Sequence, residues 1–79
     1  MTQTLKPDPA VAAILKALLQ TISSASGVAY DGCEAIAEGR QNQAIGTILE
    51  LDDLLKTATT LFNSAIALHR IAGKGKATA

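Results

Sequence analysis

From Val11 onward, apolar or small residues recur at Val11, Leu15, Leu18, Ile22, Ala25, Ala29, Gly32 and Ile36. The steps alternate between four and three, a heptad spacing that predicts one long amphipathic helix. Its start is marked by "DPAV": Asp8 caps free backbone N–H groups, and Pro9 fits the first helical position, where a missing N–H costs nothing. Its end is marked by "EGR", with Gly39 free to adopt the left-handed backbone that closes a helix. The predicted first helix covers about residues 8–38.

A second helix is expected over about residues 42–72, capped by Asn42. Its seam reads Ala44 (or Ile45), Ile48, Leu51, Leu55, Ala58, Phe62, Ala65, His69 and Ala72. Leu54, Leu61 and Leu68 widen the stripe beyond a narrow seam. The short connection folds the two helices back on each other, so the expected fold is all-α, an antiparallel two-helix hairpin. Residues 1–7 are expected to form a flexible arm, and 73–79, "GKGKATA", a disordered tail without large apolar side chains.

The segment "SSASGVAYDGC", Ser23 to Cys33, holds two glycines and many small side chains. Because Ala25, Ala29 and Gly32 keep the heptad phase, one continuous helix is expected through it. Each mid-helix glycine costs roughly 1 kcal/mol relative to alanine. That cost is explained if Ala25, Gly27, Ala29 and Gly32 let the second helix approach closely, with Ile48, Leu51 and Leu55 opposite.

Two helices cannot cover the whole stripe. If Ile48, Leu55 and Phe62 face helix 1, then Leu51, Leu54, Leu61 and Leu68 cannot all do so. Large uncovered apolar patches are uncommon on soluble monomers. Self-association into a four-helix bundle is the economical solution, with Tyr30, Leu51, Leu54, Leu61 and Leu68 as the dimer or partner interface.

Size and composition sharpen this. The chain has 79 residues, 48% hydrophobic but only 3% aromatic, which suits helices better than a β-sandwich. So short a chain needs a staple, oligomerisation or efficient helix packing. One cysteine makes no internal disulfide, and one cysteine with one histidine makes no zinc site. No cofactor or metal is expected.

Net charge is zero, giving no global attraction to nucleic acid or anionic lipid. Its distribution is uneven. Asp31, Glu34, Glu38, Glu50, Asp52 and Asp53 cluster around the connection, whereas Lys56, Arg70, Lys74 and Lys76 follow without a further acid. Hairpins packed head to tail would set each acidic end beside a basic one, which selects orientation more than it drives association. The opening "MTQTLKPDPA" lacks the features of a signal peptide, and the run "AVAAILKALL" is too short to span a bilayer. Cytoplasmic localisation is expected.

Chemistry is sparse. Cys33 is the sole thiol, with Asp31 and Glu34 nearby where a reactive cysteine wants a cation or a helix N-terminus. It is expected to be a buried structural residue. His69 reads as a packing residue near a helix end. Glu50, Asp52 and Asp53 lack the Glu-x-x-His partners of di-metal bundles, and Asp52 with Lys56 reads as a surface pair.

The pieces "LLQTISSAS", "YDGCEAI", "EGRQNQ" and "AIGTILELDDLL" resemble a group of small uncharacterised bacterial helical-hairpin proteins of unknown function. The resemblance covers Ala17 to Phe62 and implies a helical hairpin, with no activity or site. There is also a general likeness to dimeric hairpin bundles of the RNA-modulator type, but this chain lacks their basic face. The expected function is a non-catalytic protein-interaction module: a small regulator, adaptor or inhibitor acting as a homodimer on an unidentified protein. The alternatives are small-ligand binding in the bundle core and RNA binding.

Overall fold

A computed structural model describes the backbone of residues 8–78 and the side chains of residues 8–71. The expected arm at residues 1–7 lies outside the described residues. All regular structure among them is helical, in the order α1 (Pro9–Ala37), α2 (Gln41–Ile48) and α3 (Glu50–Thr78).

α1 runs unbroken through the small-residue segment. Asp8 accepts the Ala10 N–H at 2.8 Å, and Pro9 opens the helix. At the other end the Gly39 N–H donates to the Ile36 carbonyl and the Arg40 N–H to the Ala35 carbonyl, each at 2.9 Å. These crossed bonds satisfy two of the last free carbonyls, and they require a left-handed residue between them. Gly39 supplies it with φ 79°.

The second helical stretch departs from expectation in three respects. Asn42 does not cap it: Arg40 holds that position without a side-chain bond, and Asn42 lies inside α2. It is interrupted at Leu49, whose backbone stays right-handed helical (φ −59°, ψ −29°). There the Asp52 N–H reaches the Leu49 carbonyl, three residues back, at 3.3 Å. Gly46 and the β-branched Thr47–Ile48 pair are weak helix formers, so the ladder tightens where propensity is lowest. Finally, α3 continues to Thr78, through the stretch expected to be a disordered tail. Isolated glycines lower helix stability without ending it when alanine and lysine surround them.

α1 packs against both α2 and α3. Gly32 meets Ile48 and Ala44, whereas Leu18 and Ile22 share a hollow with Leu55, Ala58 and Phe62. The α2–α3 stretch therefore runs back along α1 in the opposite direction. The molecule is one layer thick, with extents of 61 × 23 × 14 Å.

The contact seam is made of small residues. Ala25, Ala35, Ala44, Ala58 and Ala65 are buried, together with Gly32. Half-buried residues complete two heptad rows: Val11, Ile14, Leu18, Thr21 and Val28 on α1, and Thr47, Leu51, Leu54, Leu61 and Leu68 on α2 and α3. The polar member Thr21 donates its hydroxyl to the Ala17 carbonyl at 2.9 Å, so its burial leaves nothing unpaired.

This seam corrects the expected one. Leu15, Ile22 and Ile36 were expected to face the second helix, and so were Ile48, Leu55 and Phe62 to face the first. Leu15, Ile22, Ile36, Leu55 and Phe62 are exposed, while Ile14, Val28, Leu54 and Leu61 take the protected positions. Ile48 is 36% exposed but keeps the expected contact, its Cγ2 methyl lying against Gly32. Each helix is turned by roughly 50°, about half a residue step at 100° per residue. Alanine and glycine lining both helices permit close approach, and the larger side chains of the seam flank that line half-buried.

Candidate functional site: an uncovered apolar face

The rotation of the helices puts one row of large side chains from each helix on the same side of the layer. Along α1 the row is Leu15, Ile22, Ala29 and Ile36, and along α2 and α3 it is Ile48, Leu55 and Phe62. Each row sits about 40° from the buried seven-residue series Leu18–Ala25–Gly32 or Leu51–Ala58–Ala65. In antiparallel helices this offset brings both rows to the same side. Exposure is 47% for Ile22, 53% for Leu55 and 54% for Phe62, large values for side chains of this type.

Two hollows mark the face. Near the turn, an open groove of about 440 Å³ is lined by Ala29, Gly32, Cys33, Ile36, Ala44, Ile45, Ile48 and Leu51. Farther along, a hollow of about 370 Å³ lies among Leu18, Ile22, Leu55, Ala58, Thr59 and Phe62. The opposite side differs: its hollow of about 290 Å³ is rimmed by Asp31, Glu34, Glu38, Arg40, Gln43 and Thr47. The layer thus has one apolar face and one polar face.

Several expected site residues fall elsewhere. Leu54, Leu61 and Leu68, expected at a dimer or partner interface, are half-buried in the seam with α1. Leu51 is also half-buried, and reaches the groove floor from there. Tyr30 stands 63% exposed on the outer side of α1, its hydroxyl donating to Glu34 Oε2 at 3.0 Å one turn on. The apolar groove does not include it.

The expected close-packing residues divide as well. Ala25 and Gly32 are buried in the seam. Gly27 and Ala29 are exposed. A Cβ on Gly27 would meet nothing within 4 Å, so its expected packing role is not present. Ala29 lines the groove floor instead of touching the opposite helix closely. The two lie two and four positions from Ala25, beyond the arc that α3 covers.

Cys33 is exposed on the groove wall, not buried as expected. One position past Gly32, it is carried about 100° around the helix from the seam. His69 is exposed on the row that holds Phe62. Asp52 and Lys56 form the expected surface pair at 2.9 Å. Arg40 pairs with Glu38 at the turn. Among the described residues, no group of three His, Cys, Asp or Glu side chains comes together to hold a metal ion.

α1 is long and apolar enough to cross a membrane by length and composition, with mean hydropathy 1.4 over its most apolar 18 residues. The expected limit, the run "AVAAILKALL", stops short because the helix continues through uncharged small residues; Lys16 is the only charge between Pro9 and Tyr30. In the fold its seam side faces α3 and its outer side carries Lys16, Gln20, Ser23 and Ser24.

Comparison with protein-family models, curated proteins and solved structures finds no match for this chain. The functional reading therefore rests on the two-faced layer itself.

Proposed function

We propose that the chain is a helical hairpin that pairs with a second copy as a four-helix bundle and acts as a non-catalytic protein-interaction module. The supporting observation is the uncovered apolar face: Leu15, Ile22, Ile36, Leu55 and Phe62 are exposed, and only alanine and glycine are fully buried in the helix–helix seam. A soluble monomer seldom leaves so continuous an apolar surface uncovered. The role that follows is a small regulator, adaptor or inhibitor, in keeping with a cytoplasmic setting.

Affinity capture of the tagged chain from its source lysate, after mild crosslinking, tests this reading. A reproducible protein partner retained at high salt is expected. Recovery of nucleic acid alone, released steeply by salt, would contradict it and favour RNA binding. The scattered cations Lys16, Lys56 and Arg70 give little support to that alternative.

The apolar groove beside Ala29, Gly32 and Cys33 favours one other reading, binding of a small apolar ligand. Native mass spectrometry showing a stoichiometric small molecule on the purified protein would select it.

A further inference from the structure

We infer that the occupant of the apolar face is a second copy of this chain, docked head to tail so that α1 lies on α1 and α3 on α3. This deepens the proposed bundle by assigning its interface to the row Leu15, Ile22, Ile36, Ile48, Leu55 and Phe62, and its orientation to charge.

The surface fits. Each of these six side chains is between about a third and just over half exposed. With the groove rim and the small residues between them they form one continuous apolar strip along the layer, the kind of surface that marks an interaction site rather than an ordinary monomer surface.

The face is also self-complementary along its length. The α1 row is centred near Ser26, between Leu15 and Ile36, and the α2–α3 row is centred on Leu55, between Ile48 and Phe62. A twofold axis across the layer at this level superposes each row on its own copy. Ridges at Ile22 and Phe62 then face hollows floored by Ala29 and Gly32 toward the other end.

Charge biases the choice between the two twofold arrangements from the ends of the layer, acting at longer range because Asp31, Glu34 and Glu38 lie on the polar side. The turn end carries Asp31, Glu34, Glu38, Glu50, Asp52 and Asp53. Two of these acids are already paired, Glu38 with Arg40 and Asp52 with Lys56. The other end has Lys16 and Arg70, with Lys74 and Lys76 in the last turns of α3, and Asp8 is engaged as a helix cap. Dimers with both turns at one end would place the two acidic ends together. Head-to-tail dimers set acidic beside basic.

Light scattering with circular dichroism on the whole chain tests the assignment. At micromolar concentration the wild type is expected at twice the 8.1 kDa chain mass. Ile22→Lys and Phe62→Lys are expected to move to the chain mass, or to lose helix on dilution. Ile22→Ala is expected to weaken pairing at least tenfold with helix retained at high concentration. Ser24→Lys, on the polar side, is expected to stay dimeric. A dimer indifferent to all three substitutions at Ile22 and Phe62 would overturn this face while leaving the proposed bundle standing. A wild-type chain at monomer mass would overturn both, and its co-flotation with phosphatidylcholine vesicles would give the face to lipid.

Discussion

Gly32 lies so close to Ile48 that a Cβ added to it would come within 2.7 Å of the Ile48 Cγ2 methyl. The contact joins α1 to the end of α2, the level where the chain has just reversed. Ile48 is branched at Cβ and cannot swing that methyl away freely. Gly32→Ala is therefore expected to lower stability by about 1 kcal/mol, overpacking outweighing the gain in helix propensity. In an Ile48→Ala background the same change should become stabilising by about 0.5 kcal/mol. Urea melts at one protein concentration, arranged as a double-mutant cycle, read the coupling. Additive effects would show that the contact is not made.

The other glycines of this region behave differently. Gly27 is exposed in mid-helix with open space where a Cβ would stand. Gly27→Ala should raise stability by about 0.5–1 kcal/mol. Gly39 has φ 79°, where an L side chain is strained. Gly39→Ala should lower stability by about 1 kcal/mol. Thermal melts that ranked the two in the reverse order would contradict the continuous α1 and its glycine-closed end.

The rotated seam makes its own prediction. Leu61 is half-buried between the helices, whereas Tyr30 stands in solvent on the outer side. Leu61→Ala should lower stability by about 2 kcal/mol, a cavity cost scaled to partial burial. Tyr30→Ala should change it by less than about 0.5 kcal/mol and leave the oligomeric mass unaltered. Denaturant midpoints with light scattering check both. Loss of association in Tyr30→Ala would restore it as an interface anchor.

Much of the fold is legible in the sequence. Pro9, Asp8 and Gly39 mark the ends of α1 through backbone chemistry that depends on no tertiary partner, and the heptad phase carries the helix through Gly27 and Gly32. The facing side was harder to read. On α1 the Leu18 series is flanked on one side by Ile14, Thr21 and Val28 and on the other by Leu15, Ile22 and Ala29. Both flanks repeat every seven residues, so periodicity alone does not choose between them. The choice is made by the small residues of both helices acting together, Ala25, Gly32 and Ala35 against Ala44, Ala58 and Ala65. That pairing depends on how closely two helices approach, a distance the sequence of one helix does not contain. The uncovered face follows from the same choice, which is why its residues first read as core and Leu54, Leu61 and Leu68 first read as interface.

The head-to-tail dimer is tested most directly by a distance between copies. In a Cys33→Ala, Gln43→Cys chain, a nitroxide on residue 43 reports from the polar side near the turn. With the twofold axis at Leu55, helical rise sets the two labels roughly 36 Å apart along the layer, and the span of the two layers brings their separation to about 40 Å. Pulsed dipolar spectroscopy should find that separation. A distance of roughly 20 Å, the span of two stacked helix layers, would place both turns at one end. Absence of any dipolar coupling at micromolar concentration would contradict the second copy altogether.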